Sequence, residues 1–136
     1  MKLKEENAES IMGELDFKNG LITAVVRDHR SKEILMVAFQ DREAVRMTLT
    51  TGLMHYWSRS RKKLWLKGEE SGHHQKLKTL KVDCDGDAVL YDVEQIGASC
   101  HRGYFSCFYR GVKRGKLVTT AKKKFDPDEV YSKNKR

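Results

Sequence analysis

LKTLKVDCDGDAVLYDVEQ, residues 77–95, is the stretch on which the fold class turns. Residues 77–84 and 88–95 are rich in apolar and β-branched side chains and lie on either side of a break at Gly86. Two such runs joined by a short Asp/Gly segment read as strands around a turn rather than as helices. If the joining segment is itself extended, period-two alternation puts Asp83, Asp85 and Asp87 on one side and Cys84 on the other. Carboxylates suit a hard cation such as Mg²⁺ and a thiolate suits zinc, so the two ligand sets need not compete. An EF-hand fails here: counted from Asp83, its sixth position requires glycine, and the chain has Ala88.

Outward from this hairpin the same signals recur. Residues 54–59, 64–67 and 104–110 form further strand-like runs, broken at residues 61–63, 68–72 and 97–103. Residues 21–27 and 34–39 are apolar runs flanking a polar stretch and predict another hairpin. Between these blocks Asp41 is placed as a helix N-cap, Ala44, Val45, Thr48 and Leu49 follow at helical spacing, and Gly52 ends the pattern. The expected class is therefore α+β, mainly antiparallel β-sheet with one or two helices. Residues 1–14 read as a polar leader or short helix adding little core, 15–110 as one domain, and 111–136 as a basic tail.

The longest apolar run, residues 34–39, is far too short to cross a membrane, and the first ten residues hold no signal-peptide core. The expected location is the cytoplasm, with no membrane partner. Three cysteines do not complete a disulfide framework, and in a reducing compartment thiols more often serve metals or catalysis, although a single free cysteine is commonly a small buried hydrophobe. The net charge of +8 hints at nucleic acid until it is located. Residues 110–136 carry ten Lys or Arg against three acids, leaving residues 1–109 nearly neutral. The plainer reading of that tail is a solvated terminus.

Two more segments carry chemistry. Gly97 to Cys107 contains Cys100 and Cys107 at a spacing unlike a zinc ribbon, with His101 beside the first. Three thiolates without an obvious fourth ligand leave a zinc ion one open position, the arrangement of catalytic rather than structural sites. His101, with an unperturbed pKa of about 6.5, is the candidate catalytic proton carrier. His73 and His74 are candidates for substrate contact or a fourth zinc ligand, or are plain surface residues. In residues 57–72, Arg59, Arg61 and Lys67 suit phosphate oxygens and Trp57 suits a base, though tryptophans at such positions also pack in cores.

Taken together these segments resemble the phosphoribosyl-AMP cyclohydrolase family across roughly residues 15–110. The shared pattern includes Trp57-Ser58-Arg59-Ser60-Arg61, Leu64-Trp65, Lys67-Gly68, Ser71-Gly72, Val82-Asp83-Cys84-Asp85-Gly86-Asp87, Val93-Glu94-Gln95, Cys100-His101 and Ser106-Cys107-Phe108. The resemblance implies a homodimer with zinc shared between chains, Cys84 from one and Cys100 with Cys107 from the other, and magnesium at Asp83, Asp85 and Asp87. It implies attack of a zinc-activated water on C6 of the adenine ring of phosphoribosyl-AMP and cleavage of N1–C6, in histidine biosynthesis. Candidate substrate-binding residues are Trp57, Arg59, Arg61, Lys67, Ser71 and His73. The family's fused form carries a pyrophosphohydrolase domain for which these 136 residues leave no room. A rival from another class is a small zinc-stabilised nucleic-acid-binding module, with Trp57 stacking bases and the basic residues holding phosphates. The neutral body and the odd cysteine count speak against it.

Overall fold

The computed structural model describes residues 1–124. In chain order the elements are α1 (Glu5–Met12), β1 (Ile22–Asp28), β2 (Ile34–Gln40), α2 (Arg42–Thr51), β3 (His55–Ser58), β4 (Lys63–Leu66), β5 (Gln75–Val82), β6 (Ala88–Gln95), β7 (Arg110–Lys113) and β8 (Lys116–Thr119). Six strands form one sheet in the order β4-β3-β2-β1-β6-β5, and β7-β8 form a separate two-stranded sheet. Pairing is antiparallel except between β1 and β6, which run parallel, with Val25 opposite Leu90. The α+β class with mainly antiparallel sheet is as the sequence predicts.

Local chemistry explains the best-placed element. The Asp41 side chain accepts a hydrogen bond from the Ala44 amide at 2.8 Å, satisfying a donor that the first turn of α2 leaves open. At the other end Gly52 adopts φ +77, the left-handed conformation in which glycine closes helices without a Cβ penalty. The buried face of α2 supplies Ala44, Val45, Thr48 and Leu49. Along β1 burial alternates, so Ile22, Ala24 and Val26 join Val89, Tyr91 and Val93 of β6 in the core. The opposite face of these central strands carries Val25, Val37 and Leu90, none of them buried.

Three features differ from the sequence expectation. Residues 1–14 are no idle leader: α1 buries Ala8 and Met12 in the main core, and Leu15 follows them. Its composition is polar because only one narrow stripe of a short helix faces inward. Residues 104–109 are an isolated bridge at Tyr104 followed by bends and irregular backbone, with strand beginning only at Arg110. There Ser106 Oγ donates to the Ile34 carbonyl at 2.6 Å and the Cys107 amide to the Leu35 carbonyl at 2.7 Å, so this segment is laid onto the end of β2 instead of pairing along it. Residues 111–119, expected to be solvated tail, form with Arg110 the β7-β8 hairpin; the part of that expectation beyond residue 124 lies outside the described residues. No helix among the described residues is long and apolar enough to cross a membrane.

Candidate active site

The buried polar core of the molecule leads to the site. Tyr56, fully buried, donates its hydroxyl to Gln75 Oε1 at 2.5 Å, and burial keeps that phenol protonated by raising its pKa well above 10. Gln75, also fully buried, donates from Nε2 to Gln95 Oε1 at 2.8 Å and reaches Ser99 Oγ at 3.5 Å. Gln95 in turn donates to the His73 carbonyl at 3.3 Å and the Ile96 carbonyl at 2.9 Å. These bonds tie β3, β5 and β6 to the loop of residues 96–109. Gln95 belongs to the Val93-Glu94-Gln95 pattern of the sequence, whereas Gln75 and Ser99 carry no sequence signal; a fully buried glutamine in a strand becomes one only once its burial is known.

On this frame several expected site residues converge. Lys67 donates its ammonium to the Ser99 carbonyl, and burial lowers its pKa while the neighbouring Cys107 and Cys100 thiols oppose that shift. Its charge therefore faces the cysteines. Ser99 Oγ stands 4.0 Å from Cys107 Sγ. Cys107 opens to solvent on one side, yet partial burial and then the adjacent Cys100 push its thiol up, with Lys67 acting against them. Cys100 is buried, and its sulfur accepts from the Arg102 amide at 3.4 Å, which shapes the loop carrying His101. Desolvation, then the charges of Arg102 and Lys67, lower the pKa of His101, which favours the neutral imidazole.

His73 completes this end. Its ring lies against Gly97, whose φ is +70 and where a Cβ would meet the ring at 2.6 Å, so only glycine allows this approach. The Ala98 amide donates to His73 Nδ1 at 3.3 Å, and desolvation lowers the ring's pKa. Ser71 Oγ accepts from the His73 amide at 3.2 Å, a turn contact that sets where the histidine begins. His74 Nδ1 is 2.9 Å from the Lys67 carbonyl. Trp57 is half-buried on β3 opposite Leu64, Arg59 stacks its guanidinium 4.1 Å from the centre of the Phe39 ring, and Arg61 is exposed in the turn before β4.

The acidic segment lies at the other end of β5. It is a turn, not an extended strand: Gly86 takes φ +76, and a Cβ there would meet the Glu14 carbonyl oxygen at 2.6 Å. The alternation expected of an extended chain thus gives way to a tighter geometry in which carboxylate oxygens of Asp83, Asp85 and Asp87 all lie within 4.8 Å of one another. Hydrogen bonding between Asp85 and Asp87 lowers the first carboxyl and raises the second, as expected of like charges sharing a proton. Lys18 offers partial relief, 3.8 Å from Asp87. Three crowded, exposed oxygen donors fit a hard divalent cation. Cys100 and Cys107 fit a soft one.

Cys84, exposed in this same turn, is separated from the other two cysteines. Because Ser99 adjoins Gln75 at the start of β5, the run of strand from Gln75 to Cys84 sets the spacing at about 25 Å. Within one chain the structure therefore unites Lys67, His73, Cys100, His101 and Cys107 and keeps Asp83, Cys84, Asp85 and Asp87 apart from them.

Comparison with known proteins bears on this arrangement. A family model described as Phosphoribosyl-AMP cyclohydrolase matches residues 36–109. A Phosphoribosyl-AMP cyclohydrolase of Methanosarcina acetivorans is 56% identical over 117 residues, 86% of this chain and 95% of the relative. Another, of Methanothermobacter thermautotrophicus, is 58% identical over 113 residues, 82% of each chain. The Histidine biosynthesis bifunctional protein HisIE of Thermoanaerobacter pseudethanolicus is 47% identical over 124 residues, which are 90% of this chain but 57% of that relative. The matched span holds both clusters, and identity extends across most of the monofunctional relatives, so this chain belongs to the phosphoribosyl-AMP cyclohydrolase family.

Proposed function

We propose that this protein hydrolyses the N1–C6 bond of the adenine ring of phosphoribosyl-AMP, a step of histidine biosynthesis, as a cytoplasmic homodimer dependent on zinc and magnesium. The observation that carries the reading is the meeting of Lys67, Cys100, His101 and Cys107, from segments distant in sequence, on one buried polar frame. Cys100 and Cys107 of one copy hold zinc with Cys84 of the other, because a strand's length separates Cys84 from them within a single chain. The apolar face of half-buried Val25 and Leu90 and exposed Val37 gives a second copy a surface to cover. A zinc ion held by these thiolates would supply Lewis acidity and lower the pKa of a water bound to it.

The substrate carries ribose on N1, which leaves C6 electron-poor. Oxygen adds at C6, the N1–C6 bond breaks, and the ring opens to a carboxamide and a formimino arm. His101, whose burial favours the neutral imidazole, accepts the proton that water loses and returns it to the departing nitrogen. Arg59 and Arg61 bind phosphate from the β3–β4 turn, Trp57 lies beside them against the base, and His73 with Ser71 borders the pocket. Lys67 is buried against Ser99, so in this reading its charge steadies the thiolates and the oxygen at C6. Asp83, Asp85 and Asp87, whose carboxylate oxygens cluster, would hold magnesium, and its charge would be available to phosphate oxygens.

The test is incubation of the purified protein with phosphoribosyl-AMP, following the ultraviolet change on ring opening, with and without a chelator. Turnover abolished by chelation and restored by zinc with magnesium supports the assignment. Turnover untouched by exhaustive chelation refutes the metal dependence, and no ring opening by the metal-loaded dimer refutes the activity.

A further inference from the structure

The β7-β8 hairpin is the one part of the described structure whose sheet stands alone. Its base is fixed to the cysteine loop: the Thr120 amide donates to the Tyr109 carbonyl at 2.8 Å, the Lys124 amide to the Gly103 carbonyl at 2.5 Å, and Tyr104 stacks on Tyr109 with ring centres 3.8 Å apart. Its far part has no such support. Val112 and Leu117 face each other across the two strands and are 75% and 58% exposed, and Phe108 at the base is 60% exposed. A lone two-stranded hairpin is marginal in water, so an apolar cross-strand pair in the open is a contact without its partner.

Chemistry identifies that partner. Residues 110–124 carry seven Lys or Arg and no acid. The complementary surface exists on the same molecule at the opposite end of β5, where Asp83, Asp85 and Asp87 crowd together and the Asp16 amide donates to the Gly86 carbonyl. Immediately beside these acids is a shallow groove lined by Val25, Val82, Ala88, Val89 and Leu90 together with Lys81 and Asp83, with Val82 36% exposed. A basic hairpin with an apolar centre and an acidic turn with an apolar groove are complementary in both respects. They are too far apart to meet within one chain, for the reason that separates Cys84 from Cys107.

We infer that the β7-β8 hairpin is an arm that docks on a second copy of this chain, Val112 and Leu117 entering the groove of Val25, Val82, Ala88 and Leu90 while the arm's basic residues face the partner's acidic turn. The inference rests on the shared-site reading above: bringing the partner's Cys84 to Cys107 necessarily brings the residues flanking Cys84 beside those that follow Cys107. The arm thereby regulates assembly of the site without touching substrate. Its polar contribution is screened by salt, its apolar contribution is not.

The test measures the dimer dissociation constant of the full chain by analytical ultracentrifugation, with turnover followed over the same protein concentrations. The double variant Val112→Ser/Leu117→Ser and the groove variant Leu90→Ser are each expected to raise that constant at least tenfold, with turnover lost on dilution and regained at high concentration. Combining them is expected to cost less than the product of the separate effects, since both remove one contact. Unchanged melting of the main sheet guards against misfolding. The arm is overturned if the wild type is a dimer that the hairpin variant leaves intact, or if the hairpin variant weakens the dimer and Leu90→Ser does not. A wild type that is monomeric and fully active sinks the shared site itself, a different result from either.

Discussion

Replacing Gln75 by Leu removes the amide that joins the buried Tyr56 hydroxyl to Gln95 and Ser99. Leucine fills much of the same volume, so the cost falls on the polar groups left behind. Tyr56 is fully buried, and its hydroxyl loses a 2.5 Å acceptor with no water to replace it. An orphaned buried donor costs about 1–3 kcal/mol. Gln95 is only half-buried, so solvent can take over part of its lost bond. The expected destabilisation is about 2–3 kcal/mol, which lowers Tm by roughly 6–10 °C in a chain of this size. Tyr56→Phe alone should also destabilise, because it strands Gln75 Oε1. The double variant Tyr56→Phe/Gln75→Leu should cost less than the two singles together by about 1 kcal/mol or more, since both ends of one bond are then apolar. Urea denaturation followed by circular dichroism gives the three values. Additivity within about 0.5 kcal/mol would refute the claim that this bond is the stake of the buried network.

The thiols should act as one unit: Cys84→Ser, Cys100→Ser and Cys107→Ser each lose zinc and turnover together, and full zinc by elemental analysis in any one of them contradicts the shared ligand set. Asp85→Asn should weaken the magnesium dependence of turnover and leave zinc bound, because the carboxylates and the thiols are distinct donor sets; zinc loss in a folded Asp85→Asn protein counts against that separation. Asp92, buried between Arg27 at 2.5 Å and Lys32 at 3.6 Å, has its carboxyl held below the ordinary 3.8, chiefly by the bond to Arg27. Its folded pKa is depressed, so its contribution to stability is fully present above about pH 4 and is lost as pH falls through the folded value. The difference in Tm between wild type and Asp92→Asn should therefore be largest near neutral pH and shrink below pH 4; a difference that stays constant to pH 2 shows that the ion pair is not its cause.

The sequence by itself determined those features whose physics is local. Asp41 and Gly52 bound α2 because a cap and a left-handed closure involve only the neighbouring turn, and strands β5 and β6 are legible, to within a few residues at their ends, because alternation and an Asp/Gly turn are short-range signals. The chemistry each thiol and carboxylate could offer was legible too, since such groups keep their character wherever they are placed. Only the tertiary structure decided which of these groups meet. The parallel pairing of β1 with β6 is made across some sixty residues of intervening chain, and no local pattern encodes it. Residues 104–110 look like a strand, but the bonds of Ser106 and Cys107 to the end of β2 bend them into the loop that presents Cys107. The fold also buried Lys67, expected to bind phosphate, beside the cysteines, and the length of β5 set Cys84 apart from them. Where a side chain ends up depends on loop closure and on which apolar faces cover one another, free energies that belong to the whole chain and not to any segment of it.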